Sequence, residues 1–342
     1  LWESGALPWA PSRTLAGLPL EPCRAYRLAA EVSGSGARAE QVKDLRTGLM
    51  GAPWQARWIE PQQEPAVKER EIQFFEQFTP MPDHFGGHGR LRPVQELRRV
   101  FRAERRPERA VLCASAHGVY ALWLNGQRVD GRRLAPETTP YEHMLYYQVY
   151  DLTDHIREGE NTLRVLLGDG WWIGRIGLTG DSCQYGSTLG FLARLELDYG
   201  DHAETVVTDE RFEGRPSHIC YSDLMMGEKW DLARPAAPWA PCKTAEGTGA
   251  QLVLQCVEPV RDWTVLEPVS LGPAPNGELV ADFGQTLAGV ADLTVCCSPG
   301  REIVLNHSET LDAGGNFFRN ILGRNKDQED RVVCGAGETR FC

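Results

Sequence analysis

Apolar and polar positions alternate over short stretches of this chain, and long helical spacing is scarce. Tyr147 and Val149 alternate with polar Gln148, the period of a half-buried strand. Leu163, Val165 and Leu167 repeat that period, so a second strand is expected there. Between the two, Thr153-Asp154 opens a single helical turn and Gly159-Glu160-Asn161 closes it. Strands are also predicted at Ala25 to Val32, around Val100-Phe101, and at Ala110 to Ser115. Further strands are expected at Tyr120 to Leu124, Phe191 to Tyr199 and Glu204 to Thr208. Gly34-Ser35-Gly36 marks a hairpin, and Asn125-Gly126 marks a tighter one that favours positive backbone angles. Turn signals about every 8–12 residues predict an all-β chain of sandwich or jelly-roll type.

Composition supports this reading and narrows it. A chain of 342 residues suggests two or three domains, and 35 glycines, 22 prolines and 10 tryptophans suit a multidomain β protein. The formal net charge of -11 argues against nucleic-acid or anionic-membrane partners. Six arginines between Arg98 and Arg109 are the exception, but Glu96, Glu104 and Glu108 interleave with them, as on a solvated strand face. No apolar run reaches ~18 residues, so no transmembrane helix is expected. The ten cysteines show no Cys-x-x-Cys pair and no zinc spacing, and are read as reduced thiols of a cytoplasmic protein. Because the sequence starts at Leu1 rather than Met, that reading leaves secretion open.

Candidate chemistry is sparse. Gly34 to Ala39 partly imitates a dinucleotide loop, but no βαβ pattern comes after it. Asp83, His84 and His88 could share a metal, although Gly86-Gly87 favours a plain loop. Asp223, Glu228 and Asp231 cluster beside Trp230, where turn chemistry on a solvated loop is the expectation. No nucleophile elbow, phosphate loop or metalloprotease helix is present. The stretch that holds most interest is Gly168-Asp169-Gly170-Trp171-Trp172. Two glycines beside Asp169 allow a tight corner, and two large rings follow at once. The corner is either core or a sugar platform. In the second case Trp171 and Trp172 stack on a pyranose while Asp169 and Asn125 meet its hydroxyls.

A family resemblance enters at the same residues. Asp151-Leu152-Thr153, Gly159-Glu160-Asn161 and Leu166 to Gly177 resemble the N-terminal β-sandwich of bacterial α-L-rhamnosidases, glycoside hydrolase family 78. Trp54 to Pro61 resembles the linker leaving a fibronectin-like first domain, and Tyr221 to Asp231 resembles the exit loop of the sandwich. Asp282-Phe283-Gly284-Gln285 resembles the hallmark of the family's second β-domain, with Thr286 where the family usually has Asn. Gly300 to Asp312 and Asp330 to Val333 continue the likeness.

The resemblance implies tandem β-sandwiches: a fibronectin type III-like domain over residues 1–62, a lectin-like jelly-roll sandwich over 63–245, and a concanavalin-like domain over 246–342, cut inside a strand. It implies the non-catalytic N-terminal portion of an inverting α-L-rhamnosidase acting on terminal rhamnose of plant glycosides or polysaccharides. The catalytic carboxylates would lie in an (α/α)6 barrel beyond residue 342, so no catalytic residue is expected in this chain. The implied partners are rhamnose-containing glycosides and that barrel. Asn125, Asp169, Trp171, Trp172 and Arg175 become the candidate carbohydrate-binding residues. No cofactor is implied beyond calcium at Asp169. A free-standing carbohydrate-binding protein, or the accessory half of another glycosidase such as a β-galactosidase, are the alternatives.

Overall fold

The structure, a computed structural model, describes residues 17–81, 90–326 and 328–342, together with Glu3, Gly5 and Leu7. Asp83, His84 and His88 lie outside the described residues. The regular structure is nearly all strand. An antiparallel ribbon comes first, β1 (Ala25–Gly34) with β2 (Ala37–Arg46), from Ala25 opposite Arg46 to Gly34 opposite Ala37. Next in the chain are β3 (Trp58–Glu60), β4 (Gln95–Ala103), β5 (Arg109–His117), β6 (Val119–Leu124), β7 (Gln127–Arg128), β8 (Met144–Asp151) and β9 (Gly159–Gly168). After the aromatic corner come β10 (Gly190–Asp198), β11 (Ala203–Val207), β12 (Glu213–Pro216), β13 (Ile219–Asp223), β14 (Gly227–Asp231), β15 (Ala240–Pro241), β16 (Lys243–Ala245) and β17 (Gln251–Leu254). The last six are β18 (Ser270–Pro273), β19 (Leu279–Asp282), β20 (Leu293–Cys296), β21 (Glu302–Asn306), β22 (Glu329–Val333) and β23 (Glu338–Phe341).

Two sheets make the central sandwich. One runs β16-β3-β10-β5-β8-β17 with β11 also on β10, and the other β15-β12-β4-β9-β6-β7. Alternation decides which side chains meet between them: Leu112 and Ala114 of β5 and Phe191 and Leu195 of β10 join the core that holds Leu97, Leu122, Leu163 and Val165. On β9 every second residue from Asn161 to Leu167 is buried, as its period predicts. Strand β5 is buried on both faces. Its outer residues Val111 and Cys113 pack with Cys23, Leu49, Tyr147 and Val149.

That outer packing corrects the expectation of a separate sandwich over residues 1–62. Among the described residues this stretch forms one ribbon, whose Leu28, Val32 and Val42 are exposed, so it encloses no core of its own. Its flanks cover the central sandwich instead, and β3 is a strand of that sandwich, paired with β10 and β16. The expected boundary at 245 also falls inside a continuous structure, because β17 pairs in parallel with β8. The C-terminal unit adds the ribbons β18-β19 and β20-β23 and the strands β21 and β22. β22 lies parallel to β14, giving a sheet β13-β14-β22-β21 that joins this unit to the sandwich.

Four of the six arginines in the basic stretch are paired locally. Arg98 pairs with Glu213 at 2.7 Å, Arg106 with Asp154 at 2.8 Å and Arg109 with Glu196 at 2.9 Å, while Arg105 meets Asp201. All ten cysteines are free thiols. Among the described residues no helix is long and apolar enough to cross a membrane.

Candidate functional site

Strand β9 ends at Gly168, and the chain turns through one helical turn, Gly170–Ile173. Gly170 has φ +52, and a Cβ there would stand 2.4 Å from Val119 Cγ1, so the corner requires glycine. The turn drives Trp172 inward to 4% exposure, where its Nε1 donates to the Thr188 carbonyl at 3.1 Å. Its ring stacks on His117 at 4.3 Å, and Trp58 covers the opposite face of His117 at 3.8 Å. Burial in this stack pushes the imidazole down to about 4, so His117 is neutral at pH 7. Trp171 is half-buried and packs against the edge of the core.

Behind the rings lies a buried charge cluster. Arg175, with 0% exposure, donates from Nε and Nη2 to Glu69 at 2.9 and 2.6 Å. Its Nη1 donates to the Arg324 carbonyl at 2.7 Å, and its backbone N–H to Asp223 at 2.9 Å. Arg90 donates from Nη1 to Asp223 at 2.9 Å, with its Nε 2.8 Å from Glu69. Burial raises the Glu69 carboxyl, but the Arg175 hydrogen bond and the Arg90 charge outweigh it and hold the group down at about 2. Asp169 is less well served: Arg92 and Arg90 stand 3.6 and 3.9 Å away. Burial there outweighs their pull and raises the carboxyl to about 7.

The candidate residues thus divide by partner. Asp169, Trp172 and Arg175 share the corner, but none of them faces solvent. Asn125 stands apart at the β6–β7 turn, with φ +53. Its Nδ2 donates to the His155 carbonyl at 3.0 Å and to Asn161 at 2.8 Å, and its Oδ1 accepts from the Thr162 N–H at 3.0 Å. Every polar atom of its amide end is therefore engaged in the turn. Calcium does not suit Asp169, because two guanidiniums flank the carboxyl and a divalent cation would add positive charge to them. Glu104, His202 and Glu204 bring ligand atoms within 4.8 Å of one another, but all three are exposed.

The acidic cluster also finds internal partners. Asp223 is buried beneath Arg90, against the expectation of a solvated turn. Glu228 accepts hydrogen bonds from Ser222 Oγ at 2.6 Å and Trp230 Nε1 at 2.7 Å, while burial raises its carboxyl. Asp231 does behave as a turn residue, accepting from the Ala233 N–H at 3.1 Å. Glu69, Arg90 and Arg324 were not anticipated from the sequence. Arg90 lies 133 residues from Asp223, and Glu69 lies 106 from Arg175, so no spacing announces them. Chemically the cluster locks segments together, and its carboxyls Asp169 and Asp223 are buried from solvent against guanidiniums.

Comparison with known proteins identifies this framework. Residues 105–263 match the α-L-rhamnosidase N-terminal domain, and residues 273–341 match the bacterial α-L-rhamnosidase concanavalin-like domain. The chain belongs to the α-L-rhamnosidase family. An α-L-rhamnosidase of Streptomyces avermitilis is 30% identical over 308 residues, which cover 84% of this chain and 30% of that protein. A crystal structure of a Streptomyces avermitilis α-L-rhamnosidase complexed with L-rhamnose, 30% identical, superimposes with a TM-score of 0.69 over 74% of this chain and 26% of that chain. The structure of the native α-L-rhamnosidase from Aspergillus terreus shares the fold, with a TM-score of 0.80 at 22% identity, covering 95% of this chain and 37% of that one. The chain spans 22–30% of the length of the curated rhamnosidases it matches.

Proposed function

We propose that this chain is the non-catalytic N-terminal portion of an inverting α-L-rhamnosidase that removes terminal α-L-rhamnose from plant glycosides or polysaccharides. The observation that carries the reading is the order of the two domain matches, the rhamnosidase N-terminal domain and then the concanavalin-like domain. The partners of the acidic residues support it. Inversion needs a protonated carboxyl acid and a second carboxylate that activates water, ~6.5–9.5 Å apart. Asp223 is committed to Arg90 and Arg175, Glu228 to Ser222 and Trp230, and Asp231 to its turn. On this reading, and as the family resemblance implies, the acid and base lie in a helical barrel of the same polypeptide and the β-domains serve as its support.

The test is the full reading frame incubated with a rhamnoside while the anomer first released is monitored by proton NMR. The proposal predicts β-L-rhamnose first, which then mutarotates. Retention of the α configuration, or no release of rhamnose, would count against it.

A further inference from the structure

Two thiols from distant parts of the chain meet on the outer face of the sandwich. The Sγ atoms of Cys23 and Cys113 are 3.7 Å apart across 90 residues of sequence, and both residues are buried. Cys113 belongs to β5, while Cys23 precedes β1 in the segment that covers that strand. The Cys23 backbone is fixed in place. Its N–H donates to the Gly48 carbonyl at 2.9 Å, its own carbonyl accepts from Arg109 Nη1 at 3.1 Å, and its φ is +52. Leu49, Val111, Tyr147 and Val149 complete the apolar surround. One side remains open: Cys23 lines a cleft of about 300 Å³ with Arg24, Arg109, Arg194 and Glu196.

We propose that Cys23 and Cys113 form a dithiol modification site, oxidised by a hydroperoxide entering that cleft to a disulfide that fastens the N-terminal segment to the sandwich. The Cys23 sulfur attacks one peroxide oxygen and the O–O bond breaks. Cys23 becomes a sulfenic acid, and the departing hydroxide takes up the thiol proton as water. The Cys113 sulfur then attacks the Cys23 sulfur, the S–O bond breaks, and a second water leaves with the Cys113 proton. Two thiols and one hydrogen peroxide yield one disulfide and two waters, the sulfurs losing the two electrons that the peroxide gains. Cys23 acts first because it lines the cleft. The hydrogen bond from Cys113 lowers it below the ordinary thiol range, with burial and Glu196 opposing and Arg194 and Arg109 assisting, which favours the thiolate at the sulfur that lines the cleft. Cys113, behind it, is held far above the ordinary thiol range by that same bond and by burial.

The experiment treats the whole chain with hydrogen peroxide, alkylates the remaining thiols after unfolding, and maps peptides without reduction. The expected product is a Cys23–Cys113 linked peptide that dithiothreitol reverses, with a melting temperature raised by about 5 °C. Cys23→Ser and Cys113→Ala should each abolish the linked peptide and the thermal gain. The wild-type map decides the matter even if those variants fold poorly. Full alkylation of both cysteines after peroxide would overturn the proposal. So would Cys23 sulfinic acid without a link to Cys113, or a link confined to the other neighbouring pair, Cys297 and Cys334.

Discussion

Arg175 has no contact with water, and a guanidinium is tolerated there because Glu69, Asp223 and the Arg324 carbonyl surround the charged group and the backbone beside it. Buried pairs of this kind matter most when one member is removed. Arg90→Ala should destabilise the protein by about 3–5 kcal/mol in urea unfolding, because Asp223 and Glu69 lose a buried partner. Arg90→Lys should recover part of the loss. A cost near zero would mean that the cluster does not lock these segments together.

The two shifted carboxyls oppose each other in pH. Glu69, lowered to about 2 from 4.5, adds stability above pH 4.5 that is lost as pH falls towards 2. Asp169, raised to about 7 from 3.8, holds its proton longer in the folded state, so its contribution is lost as pH rises from 4 to 7. Asp169→Asn should therefore melt higher relative to wild type at pH 8 than at pH 4, as read by thermal scans at both values. An equal difference at the two values would remove the burial argument. At this scale the sequence was legible where chemistry is local. Asn125-Gly126 announced a turn that the structure builds with φ +53 and +83. It was silent on Arg90, whose role depends on partners that only tertiary folding supplies.

Among elements, strands with a clean two-residue period were readable in advance. The alternating Tyr147 to Val149 and Leu163 to Leu167 segments lie inside β8 and β9. The aromatic corner was recognisable as a tight turn, but its sequence fits both a platform and a core plug, and only packing distinguishes them. Trp172 is a plug, stacked on His117 and bonded to Thr188. Trp172→Ala should cost about 3–5 kcal/mol, and L-rhamnose should give no heat of binding to the wild-type chain in calorimetric titration. A stable variant together with a clear wild-type binding isotherm would restore the platform. The first ribbon misled for a physical reason. Alternation along Ala25 to Val32 is real, but its apolar side chains remain exposed instead of facing a second sheet. The segment's burial comes from Cys23 and Leu49 at its flanks, against a sheet formed much later in the chain.

Across the whole molecule, strand pairing ignores the domain boundaries that motifs suggest. Parallel pairing of β14 with β22 and of β8 with β17, together with the Arg175–Arg324 contact, ties the sandwich to the C-terminal strands and loops. Much apolar surface stays open in the C-terminal part: Trp263 is 78% exposed and Leu279 74%, with Val265 and Leu271 also exposed. Apolar side chains left open to water in such number favour association. Light scattering should show mass rising with concentration for this chain, and a monodisperse monomer at high concentration would argue that the patch is tolerated. The central claim is that these domains support catalysis without performing it. Its most direct measurement is p-nitrophenyl α-L-rhamnopyranoside turnover by this chain beside the full reading frame. Release by the full-length protein and none by the chain is the predicted result. Turnover by the chain that is lost on replacing Asp223, Glu228 or Asp231 with the amide would contradict it.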